Sequence, residues 1–427
     1  MKKIIILVLL LSSFSIAAQT ETQEEKLKRE IQELEQELKE LEDCASSQQD
    51  KKEFNFEAMK SKRKTLSEEA KELLKQCSQT GCPQKVSIRL NEINREIDIL
   101  DKRIESKAEW LNRIKNMSDN DLEYQEKVYS TFTDMAGMAQ YSYKDSDAIE
   151  AGLPEGWNEV DRNVSPTLSS IIDKANDNDY GFQCALLYKD GKYVLAFRGT
   201  EFDRELLKDV KSDAKGAVTN LDKQTQAALE ITRKLILDGK INTDDIQLTG
   251  HSLGGRLAAE AAVTHGLTAY TFNAAGVSAE TNKVIAETNY NNTYKGQVIN
   301  VSSANDFLTG LQNTVSSLTA NEYVNNDFIN NPIINNEYVK EKIAETAGYV
   351  GKALGGVVGG VVAEKTAEGV LFMQGKDFRT TGGVNVIREA YGENIKESHS
   401  IKFIKTALAQ RYQDVENTLS QRKNKNQ

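Results

Sequence analysis

The sequence predicts an α/β protein: a largely parallel sheet with helices on both faces, preceded by an antiparallel helical coiled-coil hairpin. Three observations predict it. From Leu122 onward, short apolar runs at residues 183–188, 193–197, 246–248, 269–272 and 298–301 are separated by helical stretches, the pattern of parallel strands joined by crossover helices. The stretch Gly250-His251-Ser252-Leu253-Gly254-Gly255 stands between one of those runs and a small-residue helical pattern at 256–263, so strand, tight turn and helix meet at a serine. Before these, residues 23–117 are rich in Glu, Lys, Leu and Ile, with apolar positions alternately three and four apart, which is the coiled-coil rhythm.

Residues 1–18 read as a secretory signal. Lys2 and Lys3 form the charged start, residues 4–11 the apolar centre, and Ser15-Ile16-Ala17 a small-x-small cleavage site, with Ala18/Gln19 as the alternative. The apolar run is shorter than the ~20 residues a membrane span needs. The expected location is outside the cytoplasm (secreted, periplasmic or at the cell surface), soluble or in peripheral membrane contact.

Residues 19–118 form the hairpin. Leu27, Ile31, Leu34, Leu38 and Leu41 make one seam; Val86, Leu90, Ile93, Ile97, Leu100, Ile104, Leu111 and Ile114 make another. Leu66, Ala70, Leu73 and Cys77 give a weaker one, and Thr80-Gly81-Cys82-Pro83 is a turn. A break at residues 44–50 would make the hairpin a three-helix zigzag. Cys77 and Cys82 flank the turn and are the expected disulfide, worth about 2 kcal/mol for so short a loop. Cys44 lies tens of ångströms away at about 1.5 Å per helical residue, a spare thiol buried or paired between chains. Cys184 falls in a strand-like run and belongs to the core. The plainer reading of the arm is a spacer or a homo-oligomerisation device; the sharper one is a partner-binding or substrate-restricting element.

Residues 119–420 carry the α/β pattern. A helix at 122–143 comes first, then a strand hairpin across Asp190-Gly191, then a helix at 225–237. Residues 322–378 read as an insertion, Asn-rich and then spaced by Gly351, Gly355, Gly356, Gly359 and Gly360, as in closely packed helices. It is either a helix packed on the body or a mobile, lipid-contacting lid. Residues 421–427 are a polar, frayed tail. The net charge of −10 argues against nucleic acid as the main partner. The spacing Cys77-x4-Cys82, with no second pair and no nearby histidine, does not match a zinc site.

The serine needs a base and an orienting acid. Ser252 is a weak nucleophile until an imidazole takes its proton and a carboxylate fixes that imidazole. The chain has three histidines. His251 adjoins Ser252 and should pack beneath the turn. His265 ends a helix just before Gly266, where it suits the carbonyl end. His399 remains, on a short polar connection before a helix, and is the expected base. Asp306, just past the run at 298–301, sits where strand ends present catalytic groups and is the expected acid. Asp327 and Asp377 lie in the insertion and are weaker candidates, as are Asp244 and Asp245, which precede the serine. Two N–H donors should face the oxyanion: that of Leu253, directly after the nucleophile, and that of Thr200, after the run at 193–197. This chemistry requires no metal and no organic cofactor.

Taken together, Phe197-Arg198-Gly199-Thr200, Gly250 to Gly255, Asp306 and His399-Ser400 resemble the class 3 (fungal-type) lipase family over roughly residues 122–419. Ala139-Gln140-Tyr141-Ser142-Tyr143 is similar to that family's opening helix, and Asp209 and Asp213 to its acidic positions. The resemblance implies an α/β-hydrolase fold, a Ser252–Asp306–His399 triad, an oxyanion hole from Thr200 and Leu253, and hydrolysis of carboxylic esters of lipids. Two features depart from the family. Asn273-Ala274-Ala275-Gly276-Val277-Ser278 stands where many members carry a Gly-x-Pro-Arg-Val-Gly-like run, and the interval from Asp306 to His399 is long. The expectation is an exported lipase or phospholipase acting through an acyl-enzyme. The alternatives are a short-chain or non-lipid esterase, and a surface interaction protein that uses the coiled coil on a dispensable scaffold.

Overall fold

Strand β2 (Cys184–Lys189) folds back on β3 (Lys192–Phe197), pairing Cys184 with Phe197 and Lys189 with Lys192. Asp190 and Gly191 between them both have positive φ, 49° and 78°, which a two-residue turn of the I′ kind requires. The computed structural model describes residues 54–80, 82–144, 152–199, 214–277, 297–306, 309, 384–393 and 395–425. They belong to one unit, Phe54–Gln427. The signal at 1–18, the seam from Leu27 to Leu41, Cys44, Thr200, Asp209, Asp213, Asp327, the segment 322–378 with Asp377, and the last two residues lie outside the described residues.

Among the described residues, seven strands lie in chain order in one sheet. Strand β1 (Asn158–Glu159) pairs antiparallel with β2. From β3 onward the sheet is parallel, through β4 (Ile246–His251), β5 (Thr268–Phe272), β6 (Val298–Ser303) and β7 (Val384–Ile387). Neither β1 nor β7 stands out in the sequence: one is two residues long, and the other is a four-residue stretch interrupted by Asn385.

Both faces of the sheet are buried, and the two-residue period of a strand divides its side chains between two cores. Leu186, Leu195, Phe197, Leu248, Ala269 and Val298 face one core with helices α4 (Pro166–Asn176), α5 (Ala214–Leu237) and α6 (Leu253–His265). Ala185, Leu187, Val194, Phe272, Val301 and Ile387 face the other with α3 (Asp119–Tyr141) and α8 (Ile401–Lys425). Parallel crossovers are right-handed, so strands laid down in sequence put their connecting helices on one face. The second face is therefore covered from both sides of the strand series in the chain, by α3 before it and α8 after it.

Helix α3 starts at Ser118, whose hydroxyl accepts from Asp121 N–H at 3.1 Å, with Asp119 and Asp121 set against the positive helix end. Helices α1 (Phe56–Thr80) and α2 (Gln84–Lys115) pack through Met59, Leu66, Ala70, Leu90, Ile93 and Leu100, and the Cys77–Cys82 disulfide closes the turn between them. Farther along α2 the seam changes partner: Trp110 and Ile114 join the core of the second sheet face. Cys184 is buried and free. The polar tail differs from expectation. Residues 421–425 continue α8, because Arg422 reaches back to the Met117 carbonyl at 2.9 Å and to Asp119 at 2.6 Å.

Candidate active site

Strand β4 is the middle strand, and Ser252 follows its last residue and precedes the first residue of α6. The bend is concentrated on the serine itself, which has φ 55° and ψ −124°. A non-glycine residue at such a φ costs on the order of 1–3 kcal/mol, and surrounding bonds must impose it. Ser252 N–H donates to the Phe272 carbonyl at 3.1 Å, and Ser252 C=O accepts from Ala275 N–H at 2.9 Å and Gly255 N–H at 3.0 Å. The glycines serve close approach. A Cβ at Gly250 would lie 2.2 Å from the Gly254 carbonyl oxygen, and one at Gly254 would lie 2.1 Å from that of Phe197. Although Ser252 stands at the N-cap of α6, its side chain makes no capping bond.

That hydroxyl goes to His399 instead, with Oγ 2.8 Å from Nε2. His399 ends the short helix α7 (Ile395–His399), immediately before α8. Its Nδ1 lies 2.6 Å from Asp306 Oδ1. Asp306 sits in the turn after β6, and its other oxygen accepts from Thr309 N–H at 2.8 Å and Thr309 Oγ–H at 2.6 Å. Asp306 and His399 are both buried, while Ser252 is half-buried. A carboxylate beside Nδ1 holds the proton there, leaving Nε2 free to accept from a hydroxyl. The arrangement can therefore move a proton from serine to imidazole while the carboxylate balances the charge.

Spacing does not reveal how the imidazole is held. The Ser398 carbonyl accepts from Asn273 Nδ2 at 3.1 Å and from the Ser303 hydroxyl. Asn273 is fully buried, has φ 42°, and accepts from Ser303 N–H at 2.9 Å through Oδ1. It occupies the stretch that departs from class 3 lipases, and its amide ties the ends of β5 and β6 to the His399 turn. His251 Nε2 donates to the His399 carbonyl at 2.5 Å, and its Nδ1 lies 3.1 Å from the Tyr143 hydroxyl, which accepts from Gly199 N–H at 3.0 Å. Burial, and then the neighbouring His399, pushes the His251 imidazole down to about 3, so it is neutral and its partners set its tautomer. His251 thus lies beneath the turn, as its position beside Ser252 suggests. His265 bonds to the Leu229 carbonyl of α5 at 2.9 Å, across to a neighbouring helix and away from the serine.

Leu253 is the first residue of α6, and a helix's first N–H groups have no carbonyl one turn earlier to serve. Thr200 falls just past the described residue Gly199. Burial pushes the Cys184 thiol up to about 12, so it stays protonated in the core. Among the described residues, no group of three or more His, Cys, Asp or Glu is placed to hold a metal ion.

The comparisons agree on one class of protein. Over 137 residues the chain is 37% identical to the extracellular phospholipase A1 of Serratia liquefaciens, a stretch that covers 32% of this chain and 40% of that protein. Residues 134–371 match the Tle-like phospholipase domain family. That match takes in Ser252 and Asp306, and it leaves out the helical arm and His399. Because it spans more than half of the chain, the chain belongs to the Tle-like phospholipase domain family.

Proposed function

We propose that the protein is an exported serine hydrolase that cleaves a carboxylic ester of phospholipids. Ser252 Oγ attacks the acyl carbonyl as His399 Nε2 takes its proton. Asp306 stabilises the resulting imidazolium, and the Leu253 and Thr200 N–H groups face the oxyanion. The imidazolium returns the proton to the leaving lysophospholipid hydroxyl. Water, deprotonated by the same imidazole, then attacks the acyl-enzyme; the acyl–Oγ bond breaks, the fatty acid leaves, and the imidazolium returns the proton to Ser252 Oγ. The single observation that carries this reading is the Ser252–His399–Asp306 arrangement, at 2.8 Å and 2.6 Å. Its position on an elbow at the end of the middle strand supports the α/β-hydrolase and class 3 lipase resemblance.

The lipid substrate rests on the family and on the named relative. The A1 in that relative's name makes the acyl ester at the first glycerol position the one to examine first. Export rests on the signal-like residues 1–18 and on the word extracellular in that name. Among the described residues no helix is long and apolar enough to cross a membrane.

The test is fluorophosphonate labelling together with turnover of phosphatidylcholine labelled in one acyl chain, using the Ser252→Ala protein as control. Wild type should be labelled and should release fatty acid, and the variant should lose about 10⁴-fold or more of the rate. Folded wild type that takes no label would end the hydrolase reading. Cleavage of short-chain p-nitrophenyl esters with no action on phospholipid would leave a non-lipid esterase.

A further inference from the structure

The helical arm lies outside the family match, and it grips the segment that joins the two turns bearing the proposed acid and base. We propose that Arg103 on α2 is a positioning residue for the Asp306–His399 pair, and that the arm is thereby a working part of the site. This rests on the hydrolase reading above.

Residues 391–393 form a strap between the two turns. On one side the Gly392 N–H donates to Asn305 Oδ1 at 2.8 Å, and Asn305 Nδ2 donates to the Gly392 carbonyl at 2.9 Å; Asn305 adjoins Asp306. On the other side Gly392 lies against the backbone of Ser398, so close that a Cβ there would be 2.4 Å from Ser398 N; Ser398 adjoins His399. A movement of the strap would shift both turns together.

The strap is held by α2. Arg103 Nε donates to the Tyr391 carbonyl at 2.7 Å, and its Nη2 lies 3.5 Å from Glu397, whose other oxygen accepts from Glu393 N–H. The guanidinium packs against the touching pair of rings of Phe54 and Phe403, 5.5 Å and 5.2 Å from their centroids, and the residue is only 3% exposed. Arg95 donates to the Glu393 carbonyl, and Lys102 to the Tyr391 hydroxyl at 3.3 Å. Burying a guanidinium carries a desolvation cost that an apolar side chain of similar volume would avoid. What the apolar side chain could not do is fix a backbone carbonyl in register from a fork that rests against two rings. Because the charged contacts converge on 391–397 and the proposed base is residue 399, the register fixed is that of the base.

The experiment compares wild type, Arg103→Met and Arg103→Lys in the full chain. It measures the fluorophosphonate labelling rate against pH, kcat and KM on a p-nitrophenyl ester, and the ¹⁵N-histidine NMR spectrum, which three histidines leave uncrowded. Arg103→Met should fold, lose about 10- to 100-fold in kcat and labelling rate with KM unchanged, and shift the pH profile and the His399 ring signals. Arg103→Lys should recover part of the loss. Should Arg103→Met fail to fold, Arg103→Lys and the exposed-rim variant Arg95→Met carry the test. Wild-type labelling rates, pH profiles and His399 signals in the folded variants would overturn the proposal, whatever happens to Tm. An unlabelled wild type would strike the hydrolase reading alone, because the His399 signals report the positioning independently of turnover.

Discussion

Ser252 carries the strained backbone that exposes its hydroxyl, while His399 and Asp306 carry buried hydrogen bonds that hold their rings and oxygens still. Replacing Asp306 by Asn would put an amide donor against Nδ1 and favour the wrong imidazole tautomer. The expected loss in kcat is about 10⁴-fold, read by ester turnover with labelling as a second measure; a loss below tenfold would remove Asp306 from its proposed role. His251 supplies a different test. Its imidazole is held down to about 3 in the folded chain, against 6.5 when unfolded. Between those values the unfolded state binds the extra proton, so stability falls as pH drops through the window, by about 1.4 kcal/mol per unit. His251→Gln, which keeps a donor for the His399 carbonyl and an acceptor for Tyr143, should flatten the dependence of Tm on pH there. An unchanged slope would show that another group titrates. The three proposed catalytic residues were legible because a chain with three histidines leaves little choice and strand ends present acids. Asn273, Ser303, Thr309 and Tyr143 were not legible: each acts through a hydrogen bond between elements far apart in sequence, which no local spacing encodes.

At the scale of elements, periodicity carried the sheet and its helices, and failed where an element was too short or changed partner. Strand β1 has two residues and no period to show. Helix α2 keeps its heptads while turning from α1 to the second sheet face, where Lys107 and Asp414, charged residues that a pattern reading leaves in solvent, are buried together. Trp110 Nε1 donates to the same Asp414 oxygen at 3.0 Å, and Gln410 to the other at 3.1 Å. Asp414→Ala would strand a buried ammonium and an indole N–H, and should cost about 3–5 kcal/mol in urea denaturation. A loss under about 1 kcal/mol would mean that solvent reaches the pair as it does an exposed ion pair. The frayed tail was misread for a related reason: its polar composition hides Arg422, which anchors the last turns of α8 to the end of α2 and the start of α3.

Over the whole molecule, the α/β class followed from strands alternating with helices, and the strand order did not, because apolar runs name strands without naming their neighbours. The order matters for how the chain is made. Synthesis from the amino end delivers the elbow first, then the turn after β6, and His399 only after β7, with α8 directly behind it. Until His399 and α8 leave the ribosome, the core on the second sheet face lacks the residues of α8 and the serine lacks its proposed base. On the proposed mechanism an unfinished polypeptide therefore cannot yet turn over an ester.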